Sequence, residues 1–540
     1  MRWYNIYACK LRLPPWFLCL LLLIIIAAII RILPYLISDF FFQIGFDTGI
    51  YMRLFSFYSE SNSWEVLPAF PLFPPAYEAY LDQVDPAFFV VMAMANQFMH
   101  LDLNSLFRFY LPILIGAISV IFGFVAGTHV AGDKLGGLLA AALITVSYIQ
   151  VDAIDESFHR QIVAMLLLVL SMVYLDRYIE VHKQKYLVVS AILASGTISF
   201  HISSAILLVI LLLYAIILII YKKKGTKRAL VVSSIVGIIF SLPAWFPRAN
   251  TVIEMVFVSI SESIWRISTL PSSEGMWTSG GAIPNLLWGF PHILIGYVWY
   301  FLPFVAISIF SYFIIRKRGI HSVIPILSVF LWFYIALWLF FGNRYLLNLD
   351  ILLCLVAPVG LLYLFRKPKG YRLKVAVSIC LAVIIISPSV YFVLSNQIEK
   401  SPYIVNNIAG IEWILENVEK ENSVIFAPDY LSANLIQLGY DMAIWDYSLT
   451  NQQGHPSVYA ETFIIEAPSN ASFLSEFFST HITYVNKNIY VLWGEWDLDR
   501  PLVETHQLIP VDAYEDSKFF TLGYEGYGEI LKVYRYIGPR

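Results

Sequence analysis

Runs of roughly twenty apolar residues recur along this chain, each bounded by polar or basic residues, and that recurrence dictates the fold class. About 20 such residues cross the hydrocarbon of a bilayer as a helix, because an open strand or loop there leaves its backbone hydrogen bonds unmade. The runs are Pro14–Leu36, Phe107–Ala131, Leu135–Ile149, Val163–Arg177, Leu187–Ser199, Ile202–Tyr221, Ala229–Phe246, Ile293–Ile315, Val323–Phe341, Tyr345–Phe365 and Val375–Leu394, about eleven spans. With 59% hydrophobic and only 14% charged residues, and a mean hydropathy of +0.70, the chain reads as a polytopic α-helical membrane protein whose first partner is the lipid bilayer. A formal net charge of −3 argues against nucleic acid, which demands a basic footprint.

Orientation follows from the distribution of charge. Arg2, Lys10 and Arg12 place the N-terminus in the cytoplasm. Pro14–Leu36 is longer than a signal-peptide core and is followed by no small-residue cleavage site, so it reads as a retained span. Pro86–Met99 is short and interrupted by Asn96 and Gln97, and is expected to lie in the interface rather than to cross. With that parity Gly132-Asp133-Lys134, Lys183-Gln184-Lys185, Lys222–Arg228, Arg316-Lys317-Arg318 and Arg366-Lys367-Pro368-Lys369 all fall inside. Counting Pro86–Met99 as a span would turn every later one outward, against the positive-inside bias.

After Leu394 the composition becomes mixed. Residues 1–394 are read as a membrane domain and 395–540 as an extracytoplasmic α/β domain. Helices are expected at Ile408–Val418 and Leu431–Leu438, and strands at Ser423–Ala427, His481–Val485, Ile489–Trp493 and Ile530–Tyr536. Cys9, Cys19, Cys354 and Cys380 have no metal-type spacing, and no GxGxxG or GxxxxGK[ST] is present. Asn470-Ala471-Ser472 matches a glycosylation sequon, a frequent chance match.

Several chemical groups share the outer face. Asp47 lies just beyond the first span, within Gly45-Phe46-Asp47-Thr48-Gly49-Ile50-Tyr51. The stretch Val151–Gln161 holds Asp152, Asp155, Glu156, His159 and Arg160. As one helical turn it would put the three acids on one face and make i,i+4 pairs of Glu156 with Arg160 and of Asp155 with His159. Glu274 ends Pro271-Ser272-Ser273-Glu274 in a later outer loop, and Arg344 sits in Gly342-Asn343-Arg344 before the tenth span. Taken singly, Asp47 reads equally as a helix cap, Glu274 as a solvated acid and Arg344 as an interfacial anchor. Asp350, an acid inside the tenth span, is a functional candidate whose plain role is to pair with a neighbouring span.

In order and sidedness these motifs resemble the multi-span GT-C glycosyltransferases, most of all the oligosaccharyltransferase catalytic subunits. Phe46-Asp47 matches their first acidic motif, and Asp155-Glu156 after the small-residue run Gly136–Ala142 matches the second. Pro271–Glu274 loosely matches a later Ser/Thr-x-x-Glu-type motif, and Arg344 matches an arginine opening a late span. The resemblance implies transfer of a sugar or oligosaccharide from a polyprenyl-linked donor to a protein or glycan acceptor. It implies a divalent metal, Mg or Mn, among Asp47, Asp155 or Asp152, and Glu274, with Asp47, Asp155 and Glu156 catalytic. Arg344 would meet the donor phosphate, with His201 at a polar donor group or in a structural role. The family's acceptor-reading Trp-Trp-Asp-Tyr-Gly motif has two competing counterparts, Asp429-Tyr430 and Trp445-Asp446-Tyr447, neither complete. Looser reading of Asn-x-Ser/Thr, or another acceptor, is therefore expected. A transporter or flippase of lipid-linked sugars, or a non-catalytic relative, is the competing expectation.

Overall fold

The computed structural model describes residues 14–37, 48–60, 87–155, 158–201, 235–237, 239, 305–317, 322–336, 345–366, 391, 409–427, 435, 438–440, 443–444, 463–464, 466–480, 485–494, 511–526 and 531–539. Membrane-type helices come first: α1 (Pro15–Ile37), α2 (Thr48–Glu60), α3 (Ala87–Met99), α4 (Leu111–Ala131), α5 (Lys134–Val146), α6 (Tyr148–Asp155), α7 (His159–Val181), α8 (Gln184–Phe200), α9 (Val323–Ala336) and α10 (Tyr345–Arg366). Among the described residues four stretches are long and apolar enough to cross a membrane: Pro15–Leu33, Leu106–Ala131, His159–Val181 and Leu346–Arg366. The span expected at Ile202–Tyr221, nearly all of those at Ala229–Phe246 and Val375–Leu394, and about half of Ile293–Ile315 lie outside the described residues, as does the boundary at 394/395.

The expected span Leu135–Ile149 is in fact two helices. α5 runs 13 residues, α6 runs 8, and they meet at an extended Ser147 (φ −65°, ψ 115°). At 1.5 Å per residue the pair reaches about 32 Å, a bilayer's hydrocarbon thickness that α5 alone does not cover. α3, also 13 residues, is about 20 Å long and too short to cross, in keeping with the sequence expectation.

The small-residue run beginning at Gly136 has a packing reason. α4 and α5 form a tight antiparallel hairpin in which a methyl group at Gly137 would strike Thr128 Oγ1 and the Phe124 carbonyl, and one at Gly127 would strike the Ala140 methyl. Small residues let two helix backbones approach where lipid supplies no hydrophobic drive. The turn itself closes on Gly132 in the left-handed region (φ 68°), with Asp133 capping α5 through Leu135 N–H at 2.9 Å.

At this end of the bundle Asp133 also pairs with Arg366, the last residue of α10. Asp176 of α7 (1% exposed) accepts from Ser322 Oγ at 2.5 Å and Val323 N–H at 2.9 Å, capping α9, while its Oδ2 lies 3.2 Å from His129 Nε2 of α4. The Gly132 turn, the end of α7, the start of α9 and the end of α10 therefore share one end, as the basic-loop pattern requires.

The C-terminal part is a five-stranded mixed sheet of β1 (Ser423–Phe426), β2 (Ala443–Ile444), β3 (Asn488–Gly494), β4 (Phe520–Glu525) and β5 (Leu531–Tyr536), in the order β2-β1-β3-β5-β4. β1 is parallel to β2 and β3, and β5 is antiparallel to β3 and β4. Alternation divides the strands between two cores. Val424, Phe426, Ile489, Val491, Tyr534 and Tyr536 join Phe463, Phe477 and Tyr514, while Ile425, Tyr490, Leu492 and Val533 join Ile411, Ile414 and Tyr440. β1, β3, β5 and helix 409–417 stand where the sequence pattern puts them. β4, α11 (Ala471–Thr480) and α12 (Val511–Glu515) were not signalled, and the expected strand His481–Val485 and helix Leu431–Leu438 are largely outside the described residues.

Candidate active site

At the other end of the bundle, α6 carries Asp152 and Asp155 three residues apart on one helix. The helix then stops. Phe158 N–H donates to the Ala153 carbonyl at 2.7 Å, and α7 begins afresh at His159. The two i,i+4 pairs expected across this stretch involve Asp155 and Glu156, whose side chains lie outside the described residues. Arg160 donates to Tyr51 Oη of α2 at 2.5 Å, its guanidinium 4.6 Å from the Tyr51 ring and 5.6 Å from that of Phe89. His159 packs edge-on against Phe107. A delocalised cation over two rings is a stable arrangement for a buried arginine.

That contact matters for the site because Tyr51 is four residues after Asp47 and Arg160 five after Asp155. One residue further on, Gln161 Nε2 donates to Asn348 Oδ1 of α10 at 3.1 Å, and Asn348 is four residues after Arg344. Three chain segments that bear predicted site residues are therefore joined by hydrogen bonds between their described neighbours. His201 caps the same end of α8, its N–H donating to the Thr197 carbonyl at 3.2 Å, beside a Phe200–Phe88 ring contact.

Beneath α6 lies a buried polar cluster. Asp350 (1% exposed) accepts from Ser147 Oγ at 2.7 Å and Gln150 Nε2 at 3.0 Å, both through Oδ2. Gln150 Oε1 in turn accepts from Arg31 of α1 at 3.4 Å. Arg31, 1% exposed, also donates to the Ile144 carbonyl at 3.0 Å and the Thr145 carbonyl at 3.4 Å. These are among the carbonyls that the end of α5 leaves without an intrahelical donor, and a cation there opposes the negative end of the helix dipole. Gly116 of α4 makes the room: a methyl group at that position would lie 2.8 Å from Arg31 Cδ. Asp350 is thus the partner of neighbouring elements that the sequence suggested, but its partners are Ser147 and Gln150 at the break between α5 and α6, with Arg31 one bond further on through Gln150.

Sequence reasoning missed Arg31, Ser147 and Gln150. The signal was present, for Ser147-Tyr148-Ile149-Gln150 is a Ser-x-x-Gln capping box within an apolar run. Ser147 Oγ does accept from Gln150 N–H, at 3.3 Å, while the Gln150 side chain turns away to Asp350 and Arg31.

Asp47, Glu156, Glu274, Arg344, Asp429, Tyr430, Trp445 and Asp446 lie outside the described residues, and the side chains of Asp152 and Asp155 do as well. Among the described residues no three His, Cys, Asp or Glu groups gather so as to hold a metal ion.

A helical bundle followed by a C-terminal mixed sheet is the architecture that the comparison with solved structures matches. By structure the chain is similar to the apo oligosaccharyltransferase of Archaeoglobus fulgidus, with a TM-score of 0.60 and 13% sequence identity, over 91% of this chain and 70% of that one. At that identity the likeness carries the fold. By sequence the chain matches no protein-family model and no curated protein.

Proposed function

We propose that this protein is a membrane glycosyltransferase of the GT-C type, which transfers a sugar or oligosaccharide from a polyprenyl-phosphate-linked donor to a protein or glycan acceptor outside the cytoplasm. The observation that carries the reading is the fold, shared over 91% of the chain with an oligosaccharyltransferase, together with the bonds that draw the neighbours of Asp47, Asp155 and Arg344 to one end.

The chemistry fits those residue types. A glycosyl group leaving a lipid phosphate exposes negative charge, and a guanidinium such as that of Arg344 is suited to stabilise that charge as it develops. Asp47 and Asp155 are suited to orient the acceptor and take its proton, with Glu156 alongside. A divalent cation such as Mg or Mn, if bound by Asp47, Asp152 or Asp155 and Glu274, would neutralise further phosphate charge with hard oxygen ligands. The acidic, arginine-bearing end is taken as extracytoplasmic because the basic loops belong to the opposite end.

The transporter reading draws on one observation, the broken helix α5–α6 beside a buried acid, which is how transporters build midplane sites. Mass spectrometry of glycoproteins and lipid-linked sugars from cells lacking the protein, with the donor's leaflet read from its accessibility to an impermeant sugar-oxidising reagent in sealed membranes, separates the two. Loss of a glycan from acceptors while its lipid-linked donor accumulates outside supports transfer. Accumulation of the donor on the cytoplasmic leaflet supports transport.

A further inference from the structure

Resting on that reading, we infer that Gln150 is a positioning residue, which sets the direction in which α6 presents Asp152 and Asp155 by bridging Arg31 and Asp350. A helix that breaks within a bilayer has two backbone ends to satisfy and no fixed angle between its halves. Here one end is satisfied by a side chain from another span and the other by the residue at the break itself. Arg31 of α1 takes the terminal carbonyls of α5, and Ser147 caps α6 while donating its own proton to Asp350 of α10. Within the described part of α6, Gln150 touches both charged groups, accepting from Arg31 and donating to Asp350. Its carboxamide has one acceptor end and one donor end, which is the polarity needed between a guanidinium and a carboxylate.

Two consequences distinguish this role from ordinary packing. Rotation of α6 about its axis would pull Gln150 from one partner or the other, so the bridge fixes rotation as well as tilt. Gln150 also lies two residues before Asp152 and five before Asp155, so a small rotation at the bridge is carried rigidly to both acids. Misplacement of a reacting group by about 1 Å costs on the order of a hundredfold in rate.

The experiment uses the full-length protein in nanodiscs, with Gln150→Leu, and with Gln150→Glu alone and combined with Asp350→Asn. Hydrogen exchange over 148–158 is read beside kcat and donor KM, with lipid-linked sugar extracted from the native membranes as donor. Gln150→Leu is expected to speed exchange in that segment about tenfold, leave exchange in the 423–426 strand unchanged, and lower kcat ten- to a hundredfold with donor KM within about twofold. Gln150→Glu alone places a carboxylate against Asp350 and should do the same. The double variant exchanges the two groups and restores a donor–acceptor pair: the amide introduced on α10 donates to the carboxylate introduced on α6, and the negative charge stays beside Arg31. Its kcat should return to within about fivefold of the wild type. Unchanged exchange over 148–158, exchange raised throughout the bundle, unchanged kcat, or no rescue in the double variant would each overturn the assignment. If the wild-type protein transfers nothing, the glycosyltransferase reading fails, and the exchange arm alone still decides whether Gln150 holds α6.

Discussion

Two buried carboxylates stand at opposite ends of the bundle, Asp176 on α7 and Asp350 on α10, and they are bonded in different ways. Both are 1% exposed. Asp176 uses both oxygens, Oδ1 for Val323 N–H and Oδ2 for Ser322 Oγ and His129 Nε2. Asp350 concentrates its bonds on Oδ2, and among the described residues Oδ1 has no hydrogen-bond partner. A fully satisfied buried acid fixes a helix end and leaves nothing over, whereas a partly satisfied one is costly and persists where it serves something else. The difference assigns the two ends different work. The Asp176 end holds α4, α7 and α9 together, and the Asp350 end supports the helix that carries the candidate acids.

The largest effect belongs to the acids themselves. Asp47→Asn and Asp155→Asn are each expected to lower transfer about a thousandfold while insertion and thermal unfolding in detergent stay as in the wild type. Near-normal turnover of either variant would remove that residue from the site. Next comes Asp176→Leu, which leaves the Ser322 hydroxyl, the Val323 N–H and the His129 ring without their acceptor. A stability loss of about 3 kcal/mol is expected, read as an earlier unfolding midpoint, with kcat per folded molecule unchanged. A fall in kcat per folded molecule would erase the contrast between the ends.

Effects at Lys532, Tyr514 and Asn470 in the sheet domain should be smaller and should not reach kcat. Burial alone would lower the Lys532 pKa, but its bonds to Glu515 and Glu525 outweigh that and raise it, and burial beside Tyr534 raises that of Tyr514. Both groups then keep their protons in the folded state at a pH where the unfolded chain, titrating near about 10, releases them. Their contribution is complete below about pH 10 and is lost as pH rises through the folded values, so near-ultraviolet dichroism should show unfolding promoted between about pH 10 and 12. The smallest effect is at the sequon. Asn470 Oδ1 accepts from Phe473 N–H at 3.0 Å, capping α11, and its Nδ2 donates to Glu466 at 2.9 Å. Asn470→Ala should cost about 1 kcal/mol, and glycosidase treatment of the folded protein should produce no mass shift at this site.

How legible all this was depended on the kind of information involved. The presence of α1, α4, α7 and α10 follows from hydropathy, a property of each residue alone, though α7 runs four residues beyond the expected Val163 and Arg177 at each end, and β1, β3 and β5 follow from apolar runs between turn residues. The break at Ser147 was hidden because both flanks are apolar, so a window of hydropathy passes over it. Arg31 was hidden for the same reason, as one charge in a long apolar run whose worth depends on the distant Ile144 and Thr145 carbonyls. β4 was missed because its burial is confined to Phe520 at one end, leaving little alternation to read. Arg160 was expected to answer Glu156, which lies outside the described residues, and its contacts with Tyr51 and Phe89 come from tertiary packing that sequence spacing does not carry.

The most direct measurement compares transfer by the wild-type protein, Asp155→Asn and Asp176→Leu, each purified full-length into nanodiscs and supplied with lipid-linked sugar and acceptor proteins from the native membranes. The expected result is a glycosylated product from the wild type and, per folded molecule, from Asp176→Leu, with none above background from Asp155→Asn. Equal product from Asp155→Asn, or none from the wild type, would contradict the assignment of transfer to the α6 end.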